Sequence, residues 1–315
     1  MAPENTIDAP GSYSQAAIER LFTRHSAFTG RVFSTRSYPS EEKLQQAILD
    51  GELELGLIAI ENSHTGTLHT TLTMLVDGRL SPVRAGLANA PRVHVVGEYI
   101  HAEPHRLLAP PGATLEGIEE VRSHPHVLEQ CSRWLDDHVP RARRVAELGT
   151  GWASKAINEL GDPSIAAIAG EKALEHYDNL IELAQGIETY PSATFTRFWL
   201  LGLEPAKGER HHEPRTSLAI RTKNRPGALF RVLACFALRD INVCTIECRP
   251  HVRGAVEAHS PWDYTMYLDV DGVPDLDPGV CEAIMNLREF ADDVILLGSY
   301  PRYTLEVMNG TWTST

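Results

Sequence analysis

The sequence predicts an α/β protein followed by a smaller ferredoxin-like βαββαβ domain. Three observations lead there. Strand-like and helix-like hydrophobic periods alternate from residue 7 to about residue 203. A polar stretch with two prolines and no periodicity follows at 204–214. Beyond it, one strand–helix–strand–strand–helix–strand series fills about 85 residues, the ferredoxin-like order.

Each element has its own signal. Residues 40–51 read as a helix: Glu41 and Glu42 follow a Ser40 cap, Leu44, Ala47 and Ile48 share a face, and Gly51 ends it. The apolar run 55–60 is a buried strand. Leu68, Leu72, Leu75 and Val76 recur at helical spacing. Residues 93–100 form a strand, and 120–122 end a short one. Pro125 suits the first position of a helix, with Val127, Leu128, Cys131, Trp134 and Leu135 as one stripe. Residues 145–147 lead through Gly149-Thr150-Gly151 into a helix with Ala153, Ala156 and Ile157. The strand 165–169 and a helix follow, and 198–203 closes this part. Such alternation implies a largely parallel sheet. Residues 6–9 make a poor first strand, so the N-terminal edge is expected to be irregular. In the smaller domain, strands are expected at 217–221, 242–249, 264–270 and 294–297. Helices start at Pro226, with Leu229, Val232, Leu233, Phe236 and Ala237 inward, and at 281–290.

The chain has 315 residues, 43% hydrophobic and 23% charged, an ordinary globular composition that suggests two domains. Its longest near-apolar run is far short of the roughly 20 residues that span a bilayer. The start of the chain has no basic region followed by an apolar stretch, so it does not read as a signal peptide. With 29 Lys and Arg against 42 Asp and Glu, the formal charge is −13. That excludes nucleic acid and anionic membranes as natural partners. An anionic substrate must then be held locally, by helix N-termini or one or two arginines. Five cysteines without C-x-x-C spacing argue for a reducing compartment and against a zinc site or disulfide framework. The cytoplasm is the expected location, or a plastid if a leader has been trimmed.

Four strand-to-helix turns carry small hydroxyl or amide residues: 11–14, 61–67, 122–125 and 149–151. In an α/β domain such turns lie where ligands bind, and helix N-termini attract carboxylates and phosphates. Taken singly, each Ser, Thr or Asn is an ordinary cap; together they suggest a small-anion site. There is no G-x-G-x-x-G, Walker loop, G-x-S-x-G or H-E-x-x-H. The pairs His124/His126 and His211/His212 lack metal-ligand company, so no metal is expected. The segment Thr194-Phe195-Thr196-Arg197-Phe198 reads either as an ordinary strand start or as a proton donor beside a carboxylate anchor.

Taken in order, these segments resemble the prephenate dehydratase family, most closely its eukaryotic arogenate/prephenate dehydratase branch. Residues 10–17, 60–67 and 123–131 resemble three family motifs, and Thr196-Arg197-Phe198 matches a fourth. Arg225-Pro226-Gly227-Ala228-Leu229 and Glu247-Cys248-Arg249-Pro250 resemble the two phenylalanine-binding motifs of a regulatory ACT domain. The match runs from about residue 10 to 301. The resemblance implies two α/β lobes of the type 2 periplasmic-binding-protein kind over 1–203, a linker at 204–214, an ACT domain at 215–303 and a tail at 304–315.

The implied reaction removes water and carbon dioxide from prephenate to give phenylpyruvate, without a cofactor and under feedback by L-phenylalanine. The alternatives are arogenate dehydratase, giving phenylalanine directly, and a non-catalytic small-molecule sensor. By resemblance, Thr196 is the proton donor, with Ser14, Asn62 and Ser63 in the catalytic set. Ser12, Thr67, Ser123, Thr194, Arg197 and Phe198 bind substrate, Arg197 holding a carboxylate. Gly227, Ala228, Leu229, Glu247, Cys248, Arg249 and Pro250 bind the effector. ACT domains pair edge to edge, so a homodimer or homotetramer is expected. The chain departs from the family pattern in Thr194 for an Asn, Gln15 for His or Glu, Cys248 for Ser, and an extra stretch at 80–92.

Overall fold

The computed structural model describes all residues except 1–3, 8, 26–27, 29, 31, 78–91, 103, 190–193, 207–212, 251–263, 304, 309–310 and 315, with 4–7, 305–308 and 311–314 described by backbone alone. Residues 80–91 of the extra stretch and most of the linker therefore lie outside the described residues, as does the pair His211/His212.

The first lobe contains β1 (Glu4–Ile7), α1 (Tyr13–Arg24), β2 (Thr35–Tyr38), α2 (Glu41–Leu49), β3 (Gly56–Asn62), β4 (Gly66–Thr67), α3 (His69–Asp77) and β5 (His94–Ala102). The chain then crosses into a second lobe: β6 (Arg106–Ala109), β7 (Glu120–Ser123), α4 (Pro125–Gln130), α5 (Ser132–His138), β8 (Arg143–Ala146), α6 (Thr150–Leu160), β9 (Ile165–Ala169), α7 (Glu171–His176) and β10 (Ile181–Gln185). It crosses back as β11 (Phe195–Gly202), which inserts between β5 and β3. Two lobes joined by two crossings form the expected periplasmic-binding-protein-like body.

The sheets are mixed rather than largely parallel. β1 runs parallel to β2 and β3, but β11 is antiparallel to both β3 and β5 because the chain re-enters the lobe from the far side of the cleft. In the second lobe β7 is parallel to β8 and β9, while β6 is antiparallel to β9 and β10. The N-terminal edge is regular: Glu4 to Ile7 pair in register with Thr35 to Tyr38. The stripe from Val127 to Leu135 is split into α4 and α5 at Cys131. There the returning segment takes the Gln130 carbonyl through the Thr189 N–H, at 2.8 Å.

The third unit is β12 (Arg215–Thr222), α8 (Ala228–Ala237), β13 (Val243–Pro250), β14 (Tyr264–Asp271), α9 (Pro278–Phe290) and β15 (Asp293–Tyr300), with strand order β13-β14-β12-β15, all antiparallel. The helices cover one face around Val232, Phe236, Ala283 and Leu287. The other face packs on the first lobe, where Tyr267, Ile295 and Leu297 share a core with Ile58, Ile60 and Trp199. This contact requires Gly298: a Cβ there would stand 2.0 Å from the Val95 carbonyl oxygen. β16 (Arg302–Tyr303) then joins β5 of the first lobe, and the tail forms a hairpin of β17 (Leu305–Met308) and β18 (Thr311–Ser314).

Candidate active site

A cleft of about 450 Å³ lies between the lobes. Its floor is the start of β11. Successive residues of a strand point to opposite faces, so Thr196 and Phe198 face the cleft while Arg197 and Trp199 face the smaller domain. Thr196 pairs in register with Asn62 of β3.

A chain of hydrogen bonds crosses both lobes and ends on Thr196. Asn62 Nδ2 donates to Thr196 Oγ1 at 3.1 Å. Gln130 Nε2 donates to Asn62 Oδ1 at 2.8 Å. Gln130 Oε1 is 2.6 Å from His105 Nε2, and His105 Nδ1 is 2.5 Å from the Tyr13 hydroxyl. An amide has donors on one end and an acceptor on the other, so the directions are coupled. With Gln130 donating to Asn62, its oxygen accepts from His105 Nε2–H, and His105 Nδ1 accepts from Tyr13. The Thr196 oxygen is thus an acceptor toward Asn62, which leaves its own hydrogen free to be donated in the cleft it lines. Asn62 is held further by the His64 N–H at 2.9 Å and the Thr65 N–H at 3.4 Å. His105 sits at the first crossing, buried, with its N–H on Glu188 Oε2 at 3.0 Å.

The other sequence-predicted residues divide into three groups. Ser14, Asn62, Thr194, Thr196 and Phe198 line the cleft. Ser12, Ser63 and Ser123 support it from behind. Ser12 caps α1, accepting from the Gln15 N–H while Gln15 Oε1 accepts from the Gly11 N–H, a reciprocal cap. Ser63 Oγ accepts from the Phe195 N–H at 3.0 Å, fastening β11 to the turn after β3. Ser123 is fully buried and donates to the Ile168 carbonyl. Thr67 and Arg197 lie on the reverse face, beside a void of about 20 Å³.

Arg197 corrects the expected carboxylate anchor. Its guanidinium is held by Glu98 at 2.5 Å, Asp269 at 2.5 Å and Glu61 at 3.2 Å. Burial works against its charge, but Asp269 and Glu98 outweigh that and raise its pKa well above the ordinary value. Glu98 also takes Arg215 at 3.0 Å and Arg302 at 3.1 Å, so the cluster ties the first lobe to the smaller domain. Thr194 Oγ1 is 3.2 Å from His64 Nε2 and joins the start of β11 to the turn after β3.

No lysine or arginine lines the cleft among the described residues. Helix N-termini open on it instead. α6 opens at Gly149 without a side-chain cap, and Gly149 and Thr150 line the cleft; α1 opens beside Tyr13 and Ser14. Such ends favour carboxylates. His124 caps α4, and burial together with His126 depresses its pKa below 6.5, leaving it neutral at pH 7. Residues that the sequence reading passed over are Tyr13, His105 and Gln130 in the relay, and Glu41, His101 and Trp152 in the cleft wall. Tyr13 and Gln130 stand inside the quoted motifs; His105, at a crossing with no pattern of its own, carries no sequence signal.

In the smaller domain, a groove of about 520 Å³ is lined by Gly227, Ala228, Leu229, Cys248, Tyr264 and Met266, among others. Gly227 has φ +79°, a left-handed conformation that favours glycine and opens α8. Glu247 is not part of it: alternation along β13 turns it to the other face, 3.5 Å from His69 Nδ1. Arg249 and Pro250 also lie off the lining.

The family model described as prephenate dehydratase matches residues 8–206. The chain is 32% identical over 295 residues to the chloroplastic arogenate dehydratase/prephenate dehydratase 2 of Arabidopsis thaliana, covering 92% of this chain and 70% of that protein. The crystal structure of a prephenate dehydratase from Arthrobacter aurescens in complex with L-Phe superposes with a TM-score of 0.79 at 25% identity, covering 96% of this chain and 90% of that one. A structure described as a quorum-quenching acylase superposes with a TM-score of 0.73 at 26% identity, covering 95% and 97%.

Proposed function

This chain belongs to the prephenate dehydratase family, and from that premise we propose that it dehydrates and decarboxylates prephenate, or its amino counterpart arogenate, with Thr196 as proton donor. The observation that carries the reading is the directed relay Tyr13–His105–Gln130–Asn62–Thr196. The substrate is a cyclohexadiene with a carboxylate at C1 and a hydroxyl at C4. As the C1–carboxylate bond breaks, its electron pair enters the ring, CO2 leaves, and the C4–O bond breaks. The departing oxygen needs a proton because hydroxide is a poor leaving group. Thr196 supplies it from the cleft floor, and the relay keeps its oxygen facing Asn62 and its hydrogen facing the substrate. Aromatisation supplies the driving force, so positioning and preorganised dipoles suffice. The N-termini of α1 and α6, one from each lobe, receive the carboxylates, so the substrate itself draws the lobes together. Acyl transfer by an activated serine fits less well: Ser14 of the cleft is hydrogen-bonded to no histidine among the described residues.

The groove at Gly227 and Cys248 is the L-phenylalanine site in this reading, supported by its place beside both regulatory motifs. Pairing through the smaller domain into a homodimer or homotetramer belongs to the same proposal. So does a cytoplasmic location, supported by five free cysteines; no helix among the described residues is long and apolar enough to cross a membrane. Steady-state assays of Thr196→Ala and Thr196→Ser with both substrates test the reading.

A further inference from the structure

Glu41 is a carboxylate in the wall of a cleft that must take an anion. It is the first residue of α2, behind the Ser40 cap. An acidic side chain at that position ordinarily stays in solvent to face the helix dipole, as the exposed Glu42 does. Glu41 instead turns inward and lines the cleft with Tyr38, Ala59 and Thr70. Thr71, itself fully buried, fixes it there, donating to Oε1 at 2.6 Å while also lying 3.0 Å from the Ala59 carbonyl. Burial raises the Glu41 pKa, and the Thr71 hydrogen bond only partly offsets this. Ion pairs elsewhere in the chain are numerous, yet among the described residues no cation is paired with Glu41.

Its position along the cleft can be read from strand register. Ala59 pairs with Phe198, and Asn62 with Thr196. At about 3.3 Å per residue, the Ala59–Phe198 end lies roughly 7–10 Å from the Thr196 hydroxyl. That span matches the distance between the C4 oxygen of the ring and the nitrogen of a three-carbon side chain at C1.

We infer that Glu41 is a specificity residue that pairs with the ammonium group of an amino-acid substrate, so that the cleft prefers the 2-amino side chain of arogenate to the 2-oxo side chain of prephenate. This rests on the dehydratase reading above and names which of its two substrates the site selects. The 2-oxo acid is a dianion at neutral pH and meets Glu41 as a like charge. The 2-amino acid carries one positive charge at the matching end, and its arrival supplies the counter-ion that the half-buried carboxylate lacks.

The test compares kcat/KM for arogenate and prephenate in the full-length protein and in Glu41→Gln. The wild type should prefer arogenate at least tenfold. Glu41→Gln should lower kcat/KM for arogenate about tenfold or more, raise it for prephenate, and shift the melting temperature slightly upward at neutral pH, since a half-buried charge without a counter-ion is lost. Thr71→Val, which removes the hydroxyl that orients Glu41, should move the substrate ratio the same way by a smaller factor. A wild-type preference for prephenate, or equal loss on both substrates in Glu41→Gln, would overturn the inference while leaving the dehydratase reading intact. No turnover of either substrate by the wild type would overturn the reading on which it rests.

Discussion

Replacing Thr196 by alanine isolates the end of the relay. The substitution removes one oxygen that does two jobs: it accepts from Asn62 Nδ2 at 3.1 Å and presents a hydrogen to the cleft. Loss of a positioned general acid costs about 10²–10⁴-fold in kcat, or roughly 2.7–5.4 kcal/mol of transition-state stabilisation. The folded state loses much less. Asn62 Nδ2 faces the cleft, where water replaces its acceptor, so stability should fall by about 1 kcal/mol or less. KM should move little, because the bond to the departing oxygen strengthens only as the C4–O bond breaks. Thr196→Ser keeps both functions and should lie within about tenfold of the wild type. Steady-state kinetics with product detection by absorbance, alongside thermal melts, reads all four quantities. An alanine variant within about threefold of the wild type in kcat would refute the assignment of Thr196 and with it the purpose of the relay.

Three further outcomes follow from the structure. Arg197→Met breaks a buried cluster at a cost of about 3–5 kcal/mol, so the melting temperature should fall sharply and phenylalanine inhibition should weaken, while KM stays within about threefold; a large rise in KM alone would restore the anchor role. Burial would raise the Glu120 carboxyl, but hydrogen bonds from Arg143 and Arg122 outweigh it and hold it below its ordinary value of 4.5. Its stabilisation is therefore full above that value and lost as pH falls through the lower folded-state pKa. In Glu120→Gln the acid limb of the stability curve, measured by urea unfolding against pH, should be shallower. Calorimetry should show L-phenylalanine binding with a coupling to substrate of about 1–3 kcal/mol, and Cys248→Ser should retain it; absence of binding at millimolar concentration would remove the effector site from the groove.

Much of this is legible in the sequence. The four hydroxyl-bearing turns converge on one cleft, as capped helices at strand ends do in α/β proteins. The βαββαβ order of the smaller domain follows directly from its alternating strands and two apolar stripes. The side of β11 that Arg197 takes is open to the same logic. Arg197 sits next to Thr196 on a strand, and period-two alternation already forbids both from facing one cleft. The same rule separates Glu247 from Cys248 on β13. What no pattern could supply was pairing between distant segments: the antiparallel entry of β11, the seating of Glu98 among three arginines, and His105 at a crossing between sheets. Those depend on tertiary packing. Thr194 is intermediate, since its tie to His64 joins two turns that the motifs had singled out without saying that they touch.

One measurement is decisive: purified protein given prephenate or arogenate, with carbon dioxide release and aromatic product followed together. Phenylpyruvate from prephenate or L-phenylalanine from arogenate, formed one for one with carbon dioxide and suppressed in Thr196→Ala, is the predicted result. Calorimetric binding of both substrates with no product and no carbon dioxide would contradict it, and would make the cleft a sensor of the ligands it resembles an enzyme for.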